Sequence, residues 1–453
     1  MKSEDILMKL YESVYKKIEE DIKSGFYKEG EKLPSIIGFT KKYGVSKNTV
    51  LKSMELLEYD GLIHAKKKSG FYVTDNLYPK IQVTNLHKRE FQRSDDFEYD
   101  LSPNAVSYDQ FPIAIVKRLM TEVLNSDYRT LFSPTEPQGS LELRESIAYI
   151  LNRIKDIKVA PKNIILSSGM EYLYQIILEL LPNDSIFAIE NPGYDIVPTL
   201  LNARKFPYID IDSKNVKNGI NTLINSNANV LCTTSMHQFP IGRTMSSTEK
   251  EAIINWMRSS KNNYIIEDDY DSEFRYAPVR SDRIYTMSGA ERTIYIGSFS
   301  KSIAPSIRCS YMILPEELME KYNETLPFMA CPIPSIWQKF LTEFIDKHYI
   351  RHVNKMIKLY KGRREKMIEL LEASGKVKKI IAEPVGTNIL VEMKTYKSDT
   401  EIVKAAQEKG VLVFPLSRYL RGSKPTGTYL SLGFAALDDE KMEKAISILL
   451  SCC

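Results

Sequence analysis

Two serines, Ser298 and Ser300, and a lysine, Lys301, close an apolar, β-branched run, Thr293-Ile294-Tyr295-Ile296, and an arginine, Arg308, follows a few residues later. The run reads as a strand buried on both faces. A lysine held at such a strand end can form a Schiff base, while Ser298, Ser300 and Arg308 can take a phosphate. Taken alone, the segment is equally a surface lysine after a strand. A second run, Tyr264-Ile265-Ile266-Glu267-Asp268-Asp269-Tyr270, ends in two acids and a phenol. Side chains alternate along a strand, so Asp268 and Tyr270 share a face and Asp269 points the other way. A carboxylate beside a phenol suits a pyridine ring that must act as an electron sink. The acid keeps the ring nitrogen protonated and the phenol hydrogen-bonds the ring 3′-oxygen. An acidic loop mouth would show the same residues, but with Lys301 and Arg308 downstream the combination points to pyridoxal 5′-phosphate (PLP).

The elements around these residues alternate between strand and helix. Ile164-Ile165-Leu166 feeds Ser167-Ser168-Gly169 and a helix over 170–181, and a Ser-Gly turn at a helix N-terminus cradles phosphate through free N–H groups and the helix dipole. A strand over 185–189 ends in Asn191-Pro192-Gly193-Tyr194, where Tyr194 can stack on a cofactor ring. Another over 230–234 runs into His237-Gln238-Phe239-Pro240-Ile241-Gly242, where His237 either stacks or buttresses the loop. Helices are expected from Phe111-Pro112, after Gln138-Gly139, over 337–348 and over 353–373, with a small αβ region from about 380. This alternation predicts an α/β domain with a mostly parallel, doubly wound sheet whose ligand sits at the strand C-terminal ends. The candidate cofactor residues all fall at such ends.

The first 76 residues follow another pattern. Leu10, Val14, Ile18 and Ile22 mark an amphipathic helix, Ser35 can cap a short second helix, and Ser46 a third with Val50, Met54 and Leu57 inside. Two strand-like runs, 61–65 and 70–73, flank Lys66-Lys67-Lys68-Ser69, so the segment reads as a winged helix-turn-helix. Seven lysines against three acids between Lys41 and Lys68 give a local charge of +4. Ser35, Ser46, Lys47, Asn48 and Thr49 sit where base edges and phosphates are reached. Lys66, Lys67 and Lys68 would neutralise phosphates without regard to sequence. A protein-binding role for a domain of this shape stays open. From 77 to about 103 no period holds, which reads as a tether.

At 453 residues the chain is long enough for two or three domains, and a net charge of +4 means that a nucleic-acid partner must be argued from the local patch. No apolar run has the length of a membrane span, the N-terminus lacks a signal-peptide core, and the five cysteines show no metal or disulfide spacing. A reducing cytoplasm is the expected compartment.

Leu33-Pro34-Ser35 and Val45-Ser46-Lys47-Asn48-Thr49-Val50 resemble the signature of the GntR family of bacterial regulators. One departure is Ile37, where that family usually carries a DNA-contacting arginine. Ser168-Gly169, Asn191-Pro192-Gly193-Tyr194, His237-Gln238-Phe239-Pro240-x-Gly242, Asp268 to Phe274 and Ser298-x-Ser300-Lys301 resemble the aminotransferase-like domain of MocR-type regulators, so the resemblance spans nearly the whole chain. It implies a fold-type-I PLP domain over 104–453, with a small C-terminal subdomain from about 325, behind a winged helix over 1–76 and a linker over 77–103. It makes Lys301 the Schiff-base lysine and Asp268 the partner of the pyridine nitrogen. Tyr270 is then the 3′-oxygen donor, Tyr194 the stacking ring, and Ser168, Gly169, Ser298 and Arg308 the phosphate holders. It also implies a homodimer on double-stranded DNA, answering to PLP or an amino compound. A second departure is Ser431, in the last-strand slot where aminotransferases place an arginine for the substrate carboxylate; Arg418 and Arg421 are nearby in sequence. Two other readings stay open: an active aminotransferase with a DNA-binding head, and a winged-helix regulator with a vestigial pocket.

Overall fold

Val14, Ile18 and Ile22 recur every four residues, which sets them on one stripe of a helix, and α1 (Ser3–Lys23) buries all three. Leu10, the expected fourth member, is 41% exposed. Ser35 is extended and accepts the Gly38 N–H to start α2 (Ile36–Tyr43), and Ser46 accepts the Thr49 N–H to start α3 (Lys47–Tyr59). Each cap satisfies an N–H that the first turn leaves free, worth about 1 kcal/mol. α3 buries Val50, Met54 and Leu57, and β1 (Ile63–Lys66) pairs antiparallel with β2 (Gly70–Val73). These elements close around Phe39, Leu33 and Leu62 as a winged helix-turn-helix. The computed structural model describes residues 3–67, 69–74, 96–107, 110–126, 128–277, 282–422 and 427–453. They divide into two units, Met1–Phe91 and Gln92–Cys453. No helix among the described residues is long and apolar enough to cross a membrane.

The second unit begins with β3 (Tyr99–Asp100). Its main sheet comprises β4 (Ile164–Ser167), β5 (Phe187–Asn191), β6 (Tyr208–Asp212), β7 (Val230–Thr233), β8 (Tyr264–Asp269), β9 (Thr293–Ser298) and β10 (Ser310–Ile313). Their order is β4-β10-β9-β8-β7-β5-β6, and β10 runs antiparallel to both neighbours in an otherwise parallel array. Every residue of β4, β7 and β10 is buried, as expected of strands with helices on both faces. β6 and β10 have no counterpart among the strands expected from sequence. The first alternates as an edge strand does, and the second follows so closely on Arg308 that it reads as the rest of a loop.

A smaller sheet, β11 (Val377–Ile381), β12 (Asn388–Met393), β14 (Phe414–Pro415) and β15 (Tyr429–Gly433), packs with the helices Ile350–Ala373 and Asp439–Cys452 around Tyr360, Val391, Leu430 and Ile446. The two helices expected over 337–348 and 353–373 are one continuous rod, Ser335–Phe344 joined to Ile350–Ala373 through a π-turn at Ile345–Tyr349. Phe340, Leu341 and Phe344 belong to the core that contains β4 and β9, whereas Tyr360, Met367 and Leu371, farther along the rod, pack with the smaller sheet. The tether drawn to 103 ends earlier. β3 pairs in parallel with β13 (Val411–Leu412), and Leu101 is fully buried, because this stretch contributes a strand whose partner lies about three hundred residues away.

Candidate functional site

β8 and β9 end side by side, with Asp268 paired to Ile296 and Asp269 to Gly297, and this register sets the acids of one strand next to the serine-lysine turn of the other. A cavity of about 240 Å³ opens there, lined by Lys301, Asp268, Tyr270, Tyr194, Ser298, Ser300, Gly169 and Arg308, with Asn104, Thr234 and Phe239. Lys301 Nζ donates to the Pro103 carbonyl at 2.7 Å. Burial draws its pKa down to about 8, against the opposing pull of Asp271, Asp100 and Glu273, so a large fraction is a neutral amine in mild base. Burial pushes Asp268 up to about 7, helped by the charges of Asp269 and Asp271. No hydrogen bond or ion pair holds Asp268 among the described residues, and its carboxyl is the group that a cationic ring nitrogen would satisfy. Asp269 points to the opposite face, where Arg283 Nε at 2.6 Å, Lys155 Nζ at 3.3 Å and the Tyr295 hydroxyl at 2.5 Å surround it. Although burial opposes its charge, the Lys155 and Arg283 cations hold its carboxyl far below the usual range.

Tyr270 hydroxyl lies 2.9 Å from His237 Nδ1, which is also 3.0 Å from both Asp271 oxygens. His237 is 2% exposed and stands behind Tyr270, outside the residues that line the cavity. The Thr387 N–H donates to Asp271 Oδ2 at 3.0 Å. Gly386 allows this close approach, since a Cβ there would lie 2.1 Å from the His237 ring and its φ is +79°. At the other end of the cavity Ser298 Oγ bonds Ser300 Oγ at 2.9 Å, and Arg308 Nη2 meets Glu171 Oε2 at 3.0 Å across Gly169. Tyr194 stands edge-on to Phe239, with ring centroids 5.7 Å apart. Ser168 does not line the cavity; Gly169, Met170 and Glu171 do. Hydroxyls, an arginine and a helix start at one end, a lysine in the middle, and an unpaired acid beside a phenol fit the phosphate, aldehyde and pyridine of PLP. Sequence reasoning missed Asn104, which lies in a stretch without periodicity, and Glu171, whose signal is an acid in the first turn beside a phosphate cradle.

In the first unit, Lys47 and Asn48 are exposed at the start of α3, and Lys66 and Lys67 are exposed at the tip of the hairpin; Lys68 lies outside the described residues. Thr49 is 4% exposed and its hydroxyl is 2.8 Å from that of Ser46, so it shapes the helix start. The hydroxyls of Ser35 and Ser46 are both engaged as caps. Lys42, counted in the basic patch, is instead tied to Asp21 at 3.0 Å and Tyr27 at 3.2 Å. Ile37 is 63% exposed on α2.

Residues 98–449 match the model of the class I and II aminotransferases. The chain belongs to that family. Residues 10–73 match the gntR family of bacterial regulatory proteins, so the chain has the MocR-type architecture. It is 29% identical to the uncharacterized HTH-type transcriptional regulator YdeL of Bacillus subtilis, over 97% of this chain and 96% of that one. It is 23% identical to the probable rhizopine catabolism regulatory protein MocR of Rhizobium meliloti, over 98% and 93%. Among solved structures, the kynurenine aminotransferase of Pyrococcus horikoshii superposes with a TM-score of 0.67 at 22% identity, covering 79% of this chain and 90% of the other. That likeness shows the aminotransferase fold.

Ser431 stands in the last strand, where the resemblance expects an arginine. Ser431 is fully buried in β15 between Leu390 and Phe414, and its hydroxyl has no partner among the described residues. The Arg421 guanidinium is engaged elsewhere: Nε donates to Asp210 Oδ1 at 2.8 Å and Nη2 to the Glu190 carbonyl at 2.7 Å, while its backbone N–H donates to Asn191 Oδ1 at 3.0 Å. Arg418 is exposed and lies over the Phe414 ring at 4.3 Å.

Proposed function

We propose that this chain is a DNA-binding transcriptional regulator that holds PLP on Lys301 and uses its aminotransferase-like domain as a sensor. The observation that carries the reading is the convergence of Lys301, Asp268, Tyr270 and Arg308 on one cavity in a chain that also has a winged helix. When bound, PLP supplies an aldehyde and an electron-withdrawing pyridine ring. The protein's part is placement. Lys301, partly neutral, is the nucleophile; Asp268 holds a proton on the ring nitrogen; Tyr270, braced by His237 and Asp271, bonds the ring oxygen; Tyr194 covers the ring; Arg308, Ser298 and the helix start at Gly169 hold the phosphate. The names of the relatives, HTH-type regulators, support the regulatory half. PLP itself, or an amino compound reaching Lys301, is the signal. A homodimer would set two α3 helices on paired half-sites of an operator.

The buried Ser431 in that strand favours a sensor over a working transaminase. A bidentate arginine–carboxylate contact is worth roughly 1.5–3 kcal/mol, and misorientation of the reacting bond costs about a hundredfold in rate. Single-turnover absorbance with alanine and glutamate should therefore show slow or no amino-group transfer; rapid, complete conversion by either would establish the enzyme reading instead, with Arg418 as the grip. For the DNA half, Lys47 and Asn48 carry sequence preference and the wing lysines carry non-specific affinity. Replacing Lys66, Lys67 and Lys68 with Gln should flatten the salt dependence of operator binding, by about one unit of log–log slope for each phosphate that is no longer neutralised. A slope unchanged in gel-shift titrations would set the wing away from DNA.

A further inference from the structure

The anion end of the cavity already holds an anion. Glu171 stands in the first turn of the helix Met170–Leu180, where unpaired N–H groups and the helix dipole attract negative charge. Its carboxylate is 3.0 Å from Arg308 Nη2, and both residues line the same cavity as Lys301, Ser298 and Ser300. The pair lies directly over Gly169: a Cβ on that glycine would be 2.2 Å from Arg308 Nη2 and 2.5 Å from Glu171 Oε2. The arginine that a phosphate needs and the space above the glycine are therefore taken by a side chain of the protein itself. Glu171 and Arg308 keep 37% and 49% of their side chains exposed, so the carboxylate has a free path out to solvent.

We propose that Glu171 is an internal competitor for the phosphate group of PLP. This rests on the reading that the cavity takes PLP. In the cofactor-free chain the Glu171 carboxylate neutralises Arg308 and occupies the cradle. Entry of the phosphate breaks this ion pair and turns Glu171 outward, where its charge still opposes the dianion. The affinity for PLP is lowered accordingly, and occupancy follows the supply of the cofactor over a higher concentration range than a cradle without the acid would allow. A sensor of PLP gains from such a setting, whereas an enzyme that must stay loaded does not.

The test compares the full-length protein with Glu171→Gln, which keeps size and polarity and removes the charge. Both are stripped of cofactor, checked for unchanged far-ultraviolet circular dichroism, and titrated with PLP and, separately, with pyridoxal, which lacks the phosphate. Breaking an exposed ion pair, together with residual repulsion of a dianion, corresponds to about threefold to tenfold in affinity. The variant should bind PLP tighter by that factor, the gain should shrink as salt is raised, and pyridoxal binding should be the same for both proteins. Equal PLP affinity in the two, or weaker binding by Glu171→Gln, overturns the proposal, the latter because Glu171 would then be aligning Arg308 for the phosphate. An equal gain for PLP and pyridoxal also overturns it, since the effect would not pass through the phosphate. Failure of the unmodified protein to bind PLP at all is a different result and sinks the cofactor reading itself.

Discussion

Lys301→Ala is expected to leave the purified protein with no covalently attached PLP, while the winged helix and the aminotransferase fold persist. Lys301 is the lysine that lines the cavity, its Nζ held 2.7 Å from the Pro103 carbonyl, and burial lowers its pKa to about 8. A buried cation costs free energy that the nearby Asp271, Asp100 and Glu273 offset only in part, so the alanine variant sheds a costly charge along with the hydrogen bond to Pro103. The effect should be all or none: the visible band of lysine-bound cofactor disappears, and borohydride treatment fixes no pyridoxyl group to the peptide containing position 301. A variant that still gives a borohydride-fixed adduct would move the nucleophile elsewhere. Since the folded pKa of Lys301 is depressed, its ammonium form lowers stability below its ordinary pKa near 10.5. The cofactor-free alanine variant should thus be at least as stable as the parent at pH 7, and the difference should vanish as the pH is raised past that value.

Asp268→Asn and Asp269→Asn, neighbours in the chain, should fail in opposite ways. Asp268 faces the cavity with no partner, so its amide variant should fold normally and lose affinity for PLP, by at least about thirtyfold if the acid pairs with a ring cation. In the cofactor-free state, a carboxyl raised to about 7 destabilises the fold as pH rises above its unfolded pKa. Asp268→Asn should then be the more stable protein at pH 8, with the gap closing towards pH 4. Asp269 has the reverse sign. Arg283 and Lys155, both almost fully buried, lean on its carboxylate; removing that charge leaves Arg283 without its carboxylate partner and Lys155 with Glu273 alone, at 3.2 Å. A loss of about 3–5 kcal/mol in unfolding free energy is expected from denaturant titration. A depressed carboxyl contributes stability that is complete above its unfolded pKa near 3.8 and is lost only in stronger acid, so this deficit should be constant from pH 8 down to about pH 5. If Asp269→Asn weakened PLP binding more than Asp268→Asn while leaving stability unchanged, the assignment of faces along β8 would be reversed.

The head was legible because each of its signals is local. Ser35 and Ser46 cap the helices that follow them, and Val50, Met54 and Leu57, spaced by four and three, form the buried face of α3. The face assignments in β8 were legible for the same reason, since alternation along a strand is a property of two neighbouring residues. What local signals do not carry is the identity of the neighbour. Position alone makes Thr49 available to DNA, whereas the packing of α3 turns it inward onto Ser46. Lys42 belongs to the basic patch by sequence, and the fold sets Asp21 against it. His237 could have stacked or buttressed, and only the approach of Asp271 and the Gly386-Thr387 turn fixes it behind Tyr270.

Residue types and short spacings specify the chemistry on offer: a strand-end lysine, an acid and a phenol on one strand face, a Ser-Gly helix start and an arginine, together with a capped three-helix head. Those follow from residue type and from spacings of two to four, which the backbone period converts directly into faces and caps. Tertiary structure alone decided what meets across long separations. Pro103 reaches Lys301, Glu171 takes Arg308, Arg421 is drawn to Asp210 and Glu190, and Ser431 is sealed between Leu390 and Phe414. Each of these pairings joins residues that no period links, because chain closure over such distances is governed by the packing of whole elements and leaves no trace in local composition.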